Sequence, residues 1–282
     1  AGMEAARVAA ERGHRVTLLE ATPQLGGQLL LATRADWRRD MISIVDWRVG
    51  ELEHLGVQVH YNTYADAADV LALKPDVVIV ASGGLPNFGD LDGAEHCCSV
   101  WDILSGDIKP AKRVLVYDGT GRHEALSCAE HLAGEGAAVT LAIIDDRAGA
   151  DMGYAERASH RKQLYLKRVK TRPDLMLKSV RRGGTGLIAT LSNDLTDESV
   201  EIETDQVVVE RGTFPVDEVF RELQEGAVNR GVTDIDALIN TEPQPFASGD
   251  DGGYLLYRVG DAVSSRSLHA ALLDAYRIAV AL

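Results

Sequence analysis

Short runs of Val, Ile and Leu alternate along this chain with segments of helical spacing. The first helix is predicted over 3–12, where Ala5, Ala6, Val8, Ala9 and Ala10 can pack closely on a sheet. Gly13 ends it, since glycine turns most easily into the left-handed conformation. A short apolar strand follows over 16–19 and closes on Glu20. Further strands are predicted over 57–61, 76–80, 113–117, 138–144 and 205–209, with 187–191 and 200–204 as a pair. A helix over 124–133 is ended by Gly134 and Gly136. The last strand begins at Tyr254 and runs through Gly260, Asp261 and Ala262 into a helix over 268–282.

This alternation argues for an α/β fold with mostly parallel sheets. The strand–helix–strand unit at the start recurs over 113–144, so two Rossmann-like, three-layer domains are expected. The first should comprise 1–108 and 213–282. The second, 109–212, should be inserted into it, because the terminal strand and helix best complete the first sheet. Residues 104–112, with Gly106 and Pro110, read as the linker between them.

Composition narrows the class. With 45% hydrophobic and 26% charged residues the chain is of globular type. No apolar run approaches the ~20 residues that span a membrane. A net charge of −14 argues against nucleic acid as a partner. Cys97, Cys98 and Cys128 form no C-x-x-C pair, which removes a thiol relay and a cysteine zinc site and fits a reducing, cytoplasmic setting. No metal-ligating spacing and no Ser-His-Asp arrangement is legible, so no catalytic residue is assigned. Residues 157–182 hold ten Lys/Arg against the single acid Asp174. They read either as a solvated helix and hairpin or as a docking surface for an acidic electron-transfer partner.

The candidate chemistry is nucleotide binding. Gly2 stands where the last glycine of a G-x-G-x-x-G turn would, with the first strand and leading glycines expected upstream of Ala1. There it would let a pyrophosphate approach the helix start. Glu20 stands where an acid accepts ribose hydroxyls. Gly26 and Gly27 allow close backbone approach, and Gln28 follows them. Ser82, Gly83 and Gly84 form a tight strand exit, and Asp261 sits between a strand and a helix, where a plain helix cap is the alternative.

These marks, in this order, resemble the two-dinucleotide-binding-domain flavoproteins over nearly the whole chain. Gly27-Gln28-Leu29 leading to Trp37-Arg38-Arg39, and the ending from Asp261 to Arg266 with Ala270 and Arg277, resemble the C-terminal half of one family in particular. It contains trimethylamine dehydrogenase, histamine dehydrogenase, N-methylproline demethylase and 2,4-dienoyl-CoA reductase. The resemblance implies FAD or ADP on the first domain, at Gly2, Glu20, Gly27, Gln28, Ser82, Gly83, Asp261 and Arg266. It also implies an N-terminal barrel, outside this sequence, carrying FMN, a 4Fe-4S cluster and the substrate site. The expected reaction is dehydrogenation or N-demethylation of an amine. Enoyl reduction with NAD(P)H, or a non-catalytic nucleotide-binding module, are the alternatives.

The second turn departs from the glycine pattern. Asp118 and Thr120 replace its first two glycines, or a one-residue shift recovers Gly119 and Gly121 and puts Glu124 third. An acid facing a pyrophosphate at a helix start is unfavourable. Asp145 and Asp146 would repel a 2′-phosphate, so a site here should favour NAD(H) over NADP(H). Otherwise this domain is a vestige kept for packing.

Overall fold

The computed structural model describes residues 1–246 and 253–282. The chain divides into two compact units. The first comprises Ala1–Gly27, Ile42–Leu85 and Thr213–Leu282; the second comprises Gln28–Met41 and Pro86–Gly212. The second is thus inserted into the first, in an α/β fold whose main sheets are parallel.

In the first unit Thr17–Leu19 pairs in parallel with Gln58–His60, and Val77–Val80 pairs in parallel with Leu255–Arg258. These remain separate two-stranded sheets. The helix Gly2–Glu11 packs on helices Ile42–His54 and Leu268–Val280. Its small side chains make close approach feasible: Ala5, Val8 and Ala9 meet Tyr257, Val259, Ala275 and Ile278, while Ala6 meets Leu25 and Leu52. Burying such apolar surface is worth about 25 cal/mol per Å².

The second unit has three layers. Its five-stranded parallel sheet runs in the order Cys97–Ser99, Gln206–Glu210, Arg113–Asp118, Ala138–Ile143, Lys170–Arg172. Alternation along the central strand feeds both faces. Val114 and Val116 pack under the helices Val100–Ser105, His123–Gly134 and Tyr154–Leu166, through Ile103, Leu126, Leu132 and Leu164. Leu115 and Tyr117 face an antiparallel sheet of Met176–Gly183, Gly186–Ser192 and Ser199–Thr204, through Leu177, Val180, Ala189 and Leu191. At Gly93, φ is +77° and an added Cβ would lie 1.7 Å from the carbonyl oxygen of Val180 in that sheet. Only glycine permits this approach.

Two boundaries differ from the sequence expectation. The expected linker at 104–112 lies inside the second unit, whose main segment begins at Pro86 rather than at 109. Cys97–Ser99 is the reason: it pairs with Val207–Val209 as an edge strand, and a three-residue strand is too short to show a period. Gly106 ends the helix Val100–Ser105 with φ +88°. Residues 28–41 also belong to the second unit: Leu31 packs against its helical core, Trp37 meets His160 edge-on at 4.5 Å, and Lys167 pairs with Asp36 at 3.6 Å. Among the described residues no helix is long and apolar enough to cross a membrane.

Candidate nucleotide-binding sites

The first unit brings Ala81, next to Ser82, and Gly260, next to Asp261, up to one helix start at Gly2. An added Cβ at Gly2 would stand 3.4 Å from the Cβ of Ala81 and 3.7 Å from Cδ1 of Leu18, so the helix begins between the ends of two strands. Gly260 closes in from a third direction: its added Cβ would stand 2.8 Å from the Cβ of Ala1. The first amides of an α-helix lack intrahelical acceptors, and together with the helix dipole they favour an anion.

Ser82 and Gly83 lie at the exit of the strand Val77–Val80. The Ser82 hydroxyl donates to the carbonyl of Val216, and Gly83, with φ +78°, accepts from the amide of Val216 at 3.0 Å. Gly84 has no room for a side chain, since its Cβ would meet the Phe214 carbonyl oxygen at 2.6 Å. Asp261 follows the strand Leu255–Arg258, and its Oδ2 accepts from the Thr213 hydroxyl at 3.4 Å. It is not the cap of the last helix: Ser267 is, accepting from the amide of Ala270. Thr213 was not singled out by sequence, because a threonine 48 residues before Asp261 carries no local signal.

Glu20 ends its strand, and Oε1 is held by the amide of Thr22 at 2.9 Å and its hydroxyl at 2.8 Å. Those bonds fix the carboxylate beside the strand end. Gly27, with φ +53°, has open space around its Cβ position. Gln28 begins the helix Gln28–Ala32 and belongs to the second unit. Arg266 turns back onto Asp274 of its own helix region. His269 is exposed.

The second unit has its own strand–turn–helix, from Arg113–Asp118 to His123–Gly134. Here the turn is filled by acid. Asp118 is fully buried, and its Oδ1 accepts from the amides of Thr120 at 3.0 Å and Gly121 at 2.9 Å and from the Thr120 hydroxyl at 3.2 Å. Burial pushes this carboxyl up to about 6, against those hydrogen bonds. Glu210, beside Asp118 on the neighbouring strand, is pushed to about 8 by burial and then by Glu124. Next to the helix start, His160 is completely buried and held neutral, down to about 3, by burial and the Arg38 guanidinium. Among the described residues no group of His, Cys, Asp and Glu could hold a metal.

The family model for pyridine nucleotide-disulphide oxidoreductases matches residues 1–260. The chain belongs to this family. It is 46% identical over its whole length to a multifunctional alkene reductase/demethylase of Caballeronia cordobensis, covering 42% of that protein. It is 42% identical over 99% of its length to a probable N-methylproline demethylase of Rhizobium meliloti, covering 41% of it. Among solved structures, histamine dehydrogenase from Rhizobium sp. 4-9 matches the whole chain with a TM-score of 0.82 at 22% identity, over 42% of that chain. The chain therefore spans less than half the length of these relatives. The family resemblance drawn from Gly27-Gln28-Leu29 and the Asp261–Arg266 ending agrees with both relatives, and the Rossmann-like fold class agrees with the family model and the solved structure.

Proposed function

We propose that this chain is the nucleotide-binding part of a flavin-dependent oxidoreductase, with the first unit holding FAD or its ADP portion. The observation that carries the reading is the convergence of Gly2, the Ser82–Gly83 strand exit and the Asp261 turn on one helix start. Gly2 lets the helix start pack between two strands, and its free amides suit a pyrophosphate. Glu20 would take the ribose hydroxyls, Gly27 would give room for close approach, and Asp261, oriented by Thr213, would meet the sugar or pyrophosphate end. Arg266 is the remaining candidate for cofactor contact within this unit; Gln28 belongs to the second unit. A bound flavin would supply the hydride or electron transfer; these residues bind and orient it.

In the whole protein we assign FMN, a 4Fe-4S cluster and the substrate site to a barrel outside this chain. The reaction proposed is dehydrogenation or N-demethylation of an amine, favoured by the demethylase names of two relatives. NAD(P)H-dependent enoyl reduction is the second reading, favoured by the alkene reductase activity named for the first of them. The three cysteines are unpaired, which supports a reducing, cytoplasmic setting. The exposed Arg161, Lys162 and Tyr165 on the helix Tyr154–Leu166 suit an acidic electron-transfer partner. Calorimetric titration with ADP and FAD tests the reading: saturable binding of either is expected, and binding of neither overturns it.

A further inference from the structure

The second unit carries the strand, turn and helix on which a dinucleotide's pyrophosphate is ordinarily held, by backbone amides of the turn and the helix start. Two of those amides, on Thr120 and Gly121, already donate to Oδ1 of Asp118. A carboxylate in that place does what a phosphate oxygen would do, and it is covalently part of the chain. The rest of the turn is equally closed to an anion. Asp118 Oδ2 and Glu124 Oε2 are buried without a hydrogen-bond partner among the described residues. An added Cβ at Gly121 would stand 2.6 Å from Oδ2 of Asp145. Glu210 lies across the ladder from Asp118, with Oε1 accepting from the amide of Gly212 at 2.7 Å. Of the cations nearby, Arg122 lies 3.4 Å from Asp151 and Arg38 lies 3.9 Å from Glu156, while Arg211, beside Gly119, donates to the carbonyl of Phe88 at 3.0 Å.

We propose that Asp118 is a built-in anion that occupies the phosphate donors of the second unit and bars NAD(H) and NADP(H) from its turn. An incoming pyrophosphate would have to displace the carboxylate from both amides and then face Glu124 and Asp145. Asp118 is thus the residue that decides specificity in this unit: the turn keeps a dinucleotide shape and takes no dinucleotide. This rests on the reading of the chain as the nucleotide-binding part of a flavin-dependent oxidoreductase, and it deepens it. Reducing equivalents enter the protein by a route other than NAD(P)H on this turn, which favours amine oxidation over enoyl reduction.

The test is a titration of the chain with NADH in saturating ADP, read from the backbone amide resonances of Thr120 and Gly121. ADP's own isotherm reports separately on the first unit, so failure of that reading is visible independently. For the unaltered chain, no shift of either amide is expected up to 1–2 mM NADH, roughly the weak limit of useful binding. Asp118→Ala frees both amides, and at least a tenfold gain in NADH affinity at them is expected. Asp118→Asn removes the charge but keeps an acceptor oxygen on the same donors, so it should gain less than threefold. Saturable shifts of Thr120 and Gly121 in the unaltered chain below about 0.1 mM NADH would overturn the proposal, whether or not any variant folds. Equal affinities of Asp118→Ala and the unaltered chain, or equal gains by Asn and Ala, would overturn it as well.

Discussion

The Nε of Arg48 donates to Oε2 of Glu4 at 2.7 Å, joining the helix Ile42–His54 to the helix Gly2–Glu11. Arg7 donates to the other carboxylate oxygen at 2.7 Å, and the three side chains are nearly buried. Burial alone would raise this carboxyl, but the two guanidiniums outweigh it and hold it below its ordinary value. A carboxyl depressed in the folded state contributes stability above its unfolded value of 4.5, lost as pH falls through the folded one. The first unit should therefore lose stability in acid. Glu4→Leu should cost about 3 kcal/mol, because it takes the carboxylate from the nearly buried Arg48, while Arg7 keeps Glu11 at 2.7 Å. Chemical denaturation at pH 7 and pH 4 checks both: the variant should be destabilised at pH 7 and less affected by acid.

The second unit should respond to pH with the opposite sign. Asp118 and Glu210 have folded values raised to about 6 and about 8. The folded state then binds more protons than the unfolded one between the unfolded values, 3.8 and 4.5, and the raised ones. Stability falls as pH rises through that window, by up to about 1.4 kcal/mol per pH unit for each group. Glu210→Gln should flatten the dependence between pH 6 and 8.5. An unaltered slope in a thermal melt series would show that Glu210 is not the group responsible.

Glu20→Ala should weaken ADP binding by about 1.5–3 kcal/mol, the size of a hydrogen bond to a charged group. Thr22, which holds Oε1 of Glu20, is the companion site. Thr22→Val should give a smaller loss in the same direction, since the carboxylate stays but is less well fixed. Calorimetry reads both, and an unchanged Kd for Glu20→Ala removes this residue from the site.

His160 is a neutral ring with both nitrogens unpartnered among the described residues and Trp37 packed edge-on against it. Leaving buried polar groups unpaired costs about 1–3 kcal/mol, so replacement by an apolar ring should not destabilise. His160→Phe is expected to hold or raise the melting temperature of the second unit. Trp37→Ala should lower it, by removing packing that ties residues 28–41 to that unit. A large loss on His160→Phe would show that the imidazole nitrogens have partners.

The main elements were legible because each carries its own local signal. The alanine-rich helix at the start, the Val/Ile runs over 77–80, 113–118 and 206–210, and the pairing of 187–191 with 200–204 follow from residue period and breaker positions. The helix Ile42–His54 was missed because its face is mixed, with Trp47 half exposed between Arg7 and Arg48. Cys97–Ser99 was missed because its strand identity comes from its neighbour on the ladder rather than from its own residues.

The sequence alone pointed to the family and the fold class, through the order of Gly2, Glu20, Gly27, Gly83 and Asp261 along the chain. It also marked the second turn as abnormal. Only the tertiary structure decided what that abnormality does. A carboxylate at position 118 reads in one dimension simply as a lost glycine. In three dimensions it reaches two amides of its own turn and lies against Glu210, 92 residues away on the adjacent strand. Hydrogen bonding and desolvation depend on which groups meet in space, and neither is written in the order of residues along the chain.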